Sequence, residues 1–224
     1  MDAPVFRHEW KYPLNLAEIE VLRRKLGFVM QVDPHAVDGK YRIRSLYFDN
    51  FDDKALAEKV NGDYERSKFR IRVYNGDDSF ISLEKKVKVG NLTQKFGARI
   101  TREEYEKIVR GDVRWMLGDK RALLTELYYR MTTESMRPKT LVEYTRYPFV
   151  YEPGNVRITL DYNICSGIFG TDLFSEQIMP FADAPNIVEV KYDHFLPDVI
   201  AGLVNYADHP RTALSKYAAC RIFG

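Results

Sequence analysis

The sequence predicts an α+β protein built on an antiparallel sheet or barrel, and three observations lead there. Short runs alternate apolar and charged residues with period two, because successive side chains of a strand point to opposite faces. Two pairs of such runs are joined by tight turn sequences and read as hairpins. Helical segments with recognisable ends are inserted among them, the arrangement of an α+β fold.

The first strand is "FRHEWKY", with Phe6, His8, Trp10 and Tyr12 on one parity and Arg7, Glu9 and Lys11 on the other. "NLAEIEVLRRKLG" follows as a helix. Asn15 and Glu18 make a capping box, Leu16, Ile19, Leu22 and Leu26 form the apolar stripe, and Gly27 ends it. "YRIRSLYFDN" reads as a strand and "DDKALAEKVNG" as a short helix. A hairpin, "KFRIRVY" with "FISLEKKV", turns through Asn75-Gly76-Asp77-Asp78. Thr101 and Glu104 cap a helix in "TREEYEKIVRG", and "RALLTELYYRM" is the next. A second hairpin, "TLVEYTRYPFVY" with "VRITLDYNI", turns at Glu152-Pro153-Gly154-Asn155. "NIVEVKY" is the last strand, and "DVIAGLVNYA" and "RTALSKYAACRIFG" are helical.

Composition bounds the function. Of 224 residues, 45% are hydrophobic and 13% aromatic, which supplies a sizeable core and excludes a disordered chain. A net charge of +2, from 34 basic and 32 acidic residues, argues against a nucleic-acid coat. Cys165 and Cys220 are far apart and in no metal spacing, as in a reduced, cytoplasmic protein. The start of the chain lacks the apolar run of a signal peptide, and no stretch approaches the roughly 20 apolar residues that span a bilayer. The expectation is a cytoplasmic protein without membrane insertion, still able to dock on a membrane-protein partner.

The charged parities carry the functional signal. Lys68, Arg70 and Arg72 share a face, as do Glu84 and Lys86, then Arg157 and Asp161, then Glu189 and Lys191. With the first strand these faces hold eight basic residues (Arg7, Lys11, Lys68, Arg70, Arg72, Lys86, Arg157, Lys191) against four acids, Glu9, Glu84, Asp161 and Glu189. Adjacent cations on one strand repel unless an anion or acidic neighbours compensate. A sheet whose charged faces point inward resolves the conflict by binding a polyanion, since Arg forks and Lys point charges both suit phosphate. The interleaved carboxylates suit a hard cation such as Mg²⁺ or Mn²⁺. His8, His35, His194 and His209 have no metal spacing, Trp10 reads as core, and Lys85 lies outside, opposite in parity to Lys86.

These residues resemble the CYTH-like triphosphate tunnel metalloenzyme superfamily, and within it the VTC (vacuolar transporter chaperone) domain, the polyphosphate polymerase module. The superfamily's opening Glu-x-Glu-x-Lys is matched by Arg7-His8-Glu9-Trp10-Lys11, with Arg7 in place of the first glutamate as fits the VTC branch. Further matches, in order, are "RSLYFDN", "KFRIRVY", "LEKK", "YTRYPF", "VRITLD", "VEVKY" and "LSKY".

The resemblance implies one catalytic domain over residues 1–224, a closed eight-stranded antiparallel barrel with helices packed outside. It implies that Lys11, Arg70, Arg72, Lys86, Arg146 and Arg157 grip a triphosphate. Lys95, in "LTQKFGAR", and Lys216 are further phosphate ligands by the same match, joined by the charged-face residues Lys68 and Lys191. Glu189 matches the metal-binding glutamate, with Glu9 and Glu84 as helpers, for Mn²⁺ or Mg²⁺. The implied activity is an ATP-dependent polyphosphate polymerase acting on ATP with a pyrophosphate or polyphosphate primer. Two alternatives stay open: a metal-dependent triphosphatase or polyphosphatase, and a non-catalytic module that binds polyphosphate or inositol phosphates. Nucleic acid is not an expected partner, because the aromatics lie on the parity opposite to the cations.

Overall fold

A computed structural model of the chain describes residues 7–90, 92–167, 170–175, 178–181, 185–205 and 209–222. Phe6, assigned above to the first strand, lies outside the described residues, as do Tyr206, Ala207, Phe223 and Gly224 of the last two helical stretches. The strands are β1 (His8–Leu14), β2 (Gln31–Val32), β3 (Tyr41–Asp49), β4 (Glu65–Tyr74), β5 (Asp77–Val89), β6 (Leu92–Ile100), β7 (Arg137–Tyr151), β8 (Val156–Gly167), β9 (Met179–Pro180) and β10 (Asn186–Tyr192). The helices are α1 (Leu16–Val29), α2 (Lys54–Asn61), α3 (Arg102–Arg110), α4 (Ala122–Thr133), α5 (Asp198–Val204) and α6 (Lys216–Ile222). Among the described residues, no helix is long and apolar enough to cross a membrane.

Two compact units divide the chain. The first comprises Met1–Arg42, Tyr144–Ile164 and Pro180–Ser215; the second comprises Ile43–Glu143, Cys165–Met179 and Lys216–Gly224. The strands β7 and β8 run through both. Hydrogen bonding orders the long strands β1-β10-β8-β7-β3-β4-β5-β6, with β2 on β7 and β9 on β8.

That order is an open path ending on β1 and β6, so the closed eight-stranded barrel expected from the sequence is corrected to an open antiparallel sheet. Each end strand shows why it carries no further strand. The Lys11 carbonyl accepts a hydrogen bond from the Thr212 backbone N–H at 2.9 Å, so a loop engages β1. Most of β6 is exposed, and its Lys95, Gly97 and Arg99 are residues that discourage edge pairing.

In the first unit, the even parity of β1, β8 and β10 is apolar. Tyr12, Leu14, Ile158, Leu160, Val188 and Val190 pack with Ile19, Leu22 and Leu26 of α1 and Ile200 of α5. The capping box of α1 forms as read, Asn15 accepting from the Glu18 N–H at 2.9 Å and Glu18 from the Asn15 N–H at 2.7 Å. Two details of the reading change. Leu16 is 59% exposed, because only the turns beyond it face the sheet, and α1 runs through Gly27 to Val29. The Met30 N–H reaching the Leu26 carbonyl at 2.7 Å closes the helix there.

In the second unit, Phe69, Ile71, Val73, Ile81 and Leu83 pack against Tyr105 and Ile108 of α3 and Leu124 and Leu127 of α4. The hairpin β4–β5 turns through Asn75 (φ 54°) and Gly76 (φ 74°), the two left-handed residues of a tight turn, so β5 starts at Asp77. Strand β6 went unrecognised by alternation and extends the hairpin, from Ile81↔Ile100 to Val89↔Leu92. Gly90 at its start has φ +56°, and a Cβ there would meet the Tyr64 ring at 2.9 Å.

In both units the helices cover the apolar parity. The charged parity is left to the opposite face, and the site is built from it.

Candidate functional site

The second unit carries a cationic ladder across four strands. Register places Ser45, Arg72, Ser82 and Arg99 in one row, then Tyr47, Arg70, Glu84 and Gly97, then Lys68, Lys86 and Lys95. Three ammonium side chains therefore stand directly opposite one another on β4, β5 and β6, an arrangement that repels in isolation. Glu84 is the acid among them and is only 3% exposed. Its carboxylate lies 2.6 Å from Arg70 Nη2, 2.6 Å from Lys95 Nζ and 3.7 Å from Arg72 Nη1. Burial alone would raise its pKa, but Arg70, Arg72 and Lys95 outweigh burial and hold it at about 2. Lys85, on the other parity, pairs with Glu126 of α4 at 2.5 Å, on the helix side as expected.

Two tyrosines and an aspartate complete this region; they lie in the motifs "RSLYFDN" and "LSKY", which carried no site role for them in the sequence. Tyr47 Oη accepts from Arg70 Nη1 at 2.9 Å, and its ring stacks on Tyr217 of α6 with centroids 4.9 Å apart. Lys68 Nζ lies 4.9 Å above the Tyr217 ring. The Tyr217 hydroxyl donates to Asp49 at 2.5 Å, and Asp49 also accepts the N–H groups of Ala55 and Leu56 at the start of α2. Asp49 thus does the capping work that Asp53, left-handed and without a side-chain cap bond, does not. Lys216, the first residue of α6, adds positive charge near Tyr47. Tyr47 was legible in principle, since it shares the parity of Ser45 on β3.

The first unit carries a different cluster. Register sets Lys11, Glu189 and Thr159 side by side, with Glu9, Lys191 and Arg157 in the next row. The Lys11 ammonium bridges two carboxylates, Glu9 at 2.7 Å and Glu189 at 3.5 Å. Burial would lower its pKa, yet Glu189 and Glu9 prevail and raise it. Glu189 also meets Lys191 at 3.3 Å and Arg146 at 3.8 Å. Burial would raise the Glu189 carboxyl, but Lys191, hydrogen bonding with Glu9, and the Lys11 and Arg146 charges hold it well below the usual range. Arg146 grips the fully buried Asp161 with both arms of its fork, Nε at 2.6 Å and Nη2 at 2.8 Å. Arg157 pairs with Asp33 at 2.9 Å, a partner no sequence pattern announces.

The predicted residues therefore fall into two groups. Lys68, Arg70, Arg72, Glu84, Lys86, Lys95 and Lys216 belong to the second unit; Glu9, Lys11, Arg146, Arg157, Glu189 and Lys191 belong to the first. Among the three predicted metal ligands, Glu9 and Glu189 are brought together on Lys11, whereas Glu84 is engaged by its own three cations. No group of three or more His, Cys, Asp or Glu gathers as a metal cage among the described residues. Two oxygen-donor carboxylates still fit Mn²⁺ or Mg²⁺, because Mg²⁺ is usually held by one or two carboxylates plus substrate phosphates and waters. The Thr159 hydroxyl, buried without a hydrogen-bond partner opposite Glu189, is a further oxygen there. His35 and His209 pair instead with Asp33 and Glu18, at 3.0 and 2.9 Å.

A solved structure shares this fold. A candidate adenylate cyclase from Bacillus halodurans superposes with a TM-score of 0.54 at 13% identity, covering 98% of each chain. The PH1012 protein of Pyrococcus horikoshii gives a TM-score of 0.49 at 13% identity, over 91% of this chain and 94% of that one. No curated protein is similar to the chain in sequence. The stronger relationship is one of sequence: the chain belongs to the family of the VTC domain, whose model matches residues 6–222.

Proposed function

We propose that the protein is an ATP-dependent polyphosphate polymerase, transferring the ATP γ-phosphate to the end of a growing chain. One observation supports this above the rest: Lys68, Lys86 and Lys95 stand in one row across three strands, beside Arg70 and Arg72. Cations aligned in this way favour an anion of high charge density across them, and a phosphate chain is one.

Phosphoryl transfer needs no protein nucleophile. A terminal oxygen of the chain forms a bond to the γ-phosphorus, the bond to the β,γ-bridging oxygen breaks, and ADP leaves. The protein contributes positioning and fixed positive charge: the arginine forks orient phosphate oxygens, and the lysine row spans successive phosphates. Glu9 and Glu189 would hold Mn²⁺ or Mg²⁺, which when bound supplies charge neutralisation at phosphate oxygens. Lys11 and Arg146 keep Glu189 ionised for that role. The proposed reaction draws on ATP, so a cytoplasmic site is part of the proposal.

The test incubates purified protein with ATP and Mn²⁺, with and without pyrophosphate, and resolves products on a polyphosphate-staining gel while ADP and free phosphate are measured. A ladder of long chains with matching ADP is expected. Free phosphate without chains would assign a hydrolase instead, and binding without turnover would assign a phosphate-sensing module.

A further inference from the structure

We infer that Tyr47 is a direct phosphate-binding residue, its hydroxyl donating a hydrogen bond to a phosphate oxygen held by the cations of β4 and β5. The inference rests on the phosphate-binding part of the reading above and adds to it a neutral donor from the "RSLYFDN" motif.

Four observations carry it. Register puts Tyr47 directly opposite Arg70, in the row that continues to Glu84, so the phenol stands within the cationic ladder. Its oxygen is already an acceptor for Arg70 Nη1 at 2.9 Å. Among the described residues no acceptor takes the Tyr47 O–H, so its proton is available to a ligand. Finally, the ring is held in place from behind. It stacks on Tyr217, which is buried and fixed through its own hydroxyl to Asp49, itself anchored on the α2 backbone.

The electrostatic setting favours an anion over any other acceptor. Arg70 and Arg72 of β4 and Lys216 of α6 act on the phenol, with Tyr217 of α6 behind the ring and Glu84 of β5 reaching it through Arg70. Burial would raise the Tyr47 pKa, yet the three cations lower it. A hydroxyl so polarised is a stronger donor, and donation to a charged acceptor is the stronger class of hydrogen bond. The same lowering gives the site a pH signature. As the pH rises into the alkaline range, ionisation removes the donor and places a negative charge against the phosphate.

The experiment measures tripolyphosphate affinity by titration calorimetry on the full chain without metal, for wild type, Tyr47→Phe and Arg72→Ala. Tyr47→Phe keeps the ring and its stack on Tyr217, so its melting temperature stays near that of the wild type. Its affinity is expected to fall about tenfold, as for loss of one hydrogen bond to a charged group. The gap between wild type and Tyr47→Phe should narrow as the pH is raised. A second measurement needs only the folded wild type: tripolyphosphate should suppress phenolate absorbance at alkaline pH, because a bound anion disfavours tyrosinate. Wild-type affinity in Tyr47→Phe, with Arg72→Ala weakened, would overturn the assignment of Tyr47 alone. Absence of tripolyphosphate binding to the wild type would overturn the phosphate-binding reading and this inference with it.

Discussion

In the first unit, Lys11, Arg146, Arg157 and Lys191 meet Glu9, Asp33, Asp161 and Glu189, four cations for four carboxylates. In the second unit, Arg70, Arg72 and Lys95 share Glu84, and Lys68, Lys86 and Lys95 stand in one row. Both faces come from the same alternation of charged and apolar residues on antiparallel strands. A compensated face holds its geometry by itself and presents oriented carboxylates. A row of three lysines in register carries like-charge repulsion that an incoming anion relieves, so binding and folding are linked there. The difference predicts which substitutions a phosphate ligand can repair.

The largest effect is expected at Asp161. Asp161→Asn strips the buried bidentate partner from Arg146 and leaves it facing Glu189 at 3.8 Å, a loss of about 3–5 kcal/mol. Denaturant melts should show this loss both with and without tripolyphosphate, because no anion need enter the compensated cluster. Equal rescue by tripolyphosphate would erase the contrast between the two faces.

Glu84→Gln comes next, at about 2–3 kcal/mol, the range for losing a hydrogen-bonded charged partner. Here saturating tripolyphosphate should return most of the stability, since phosphate oxygens replace the carboxylate that Arg70 and Lys95 lose. A variant that stays destabilised in ligand would show that Glu84 organises the strands themselves.

Acid titration resolves the same group. The folded-state pKa of Glu84, about 2, lies below its ordinary 4.5. Its contribution is therefore fully present above about pH 4.5 and is lost as the pH falls toward about 2. Melting temperatures of wild type and Glu84→Gln should converge across that window. Parallel curves would mean that Glu84 is not held ionised by Arg70, Arg72 and Lys95.

The sequence made the faces legible because period-two alternation is local: Lys68, Arg70 and Arg72 announce one side of β4 without knowledge of any other strand. It made the caps of α1 and α3 legible for the same reason, since a capping box spans four residues. What it could not show depends on register between distant strands. The lysine row needs β4, β5 and β6 aligned, and β6 hides its strand character in "LTQKFGARI", where only Ile100 is buried. The partition into a cluster of ion pairs and a lysine row follows from long-range neighbours, Arg157 with Asp33 and Lys86 with Lys95, which no spacing encodes. The expected barrel closure failed for a related reason: whether β1 meets a strand or the Thr212 loop is decided by tertiary structure.

The smallest effect gives the sharpest reversal of sign. Lys86 stands between Lys68 and Lys95 in register, so Lys86→Met removes two like-charge oppositions and keeps the aliphatic stem. Apo stability should rise by roughly 0.2–1 kcal/mol while tripolyphosphate affinity falls. Lys191→Met in the first unit removes a partner of Glu189 at 3.3 Å and should lower apo stability by a comparable amount. The two lysines occupy alternating positions on strands paired on both sides, and their register neighbours differ: Lys68 and Lys95 for Lys86, Glu9 and Arg157 for Lys191. Opposite signs in matched thermal melts would confirm that the second face is held in a repulsive state until phosphate arrives. A loss of stability in both variants would mean that the lysine row is already compensated within the folded chain.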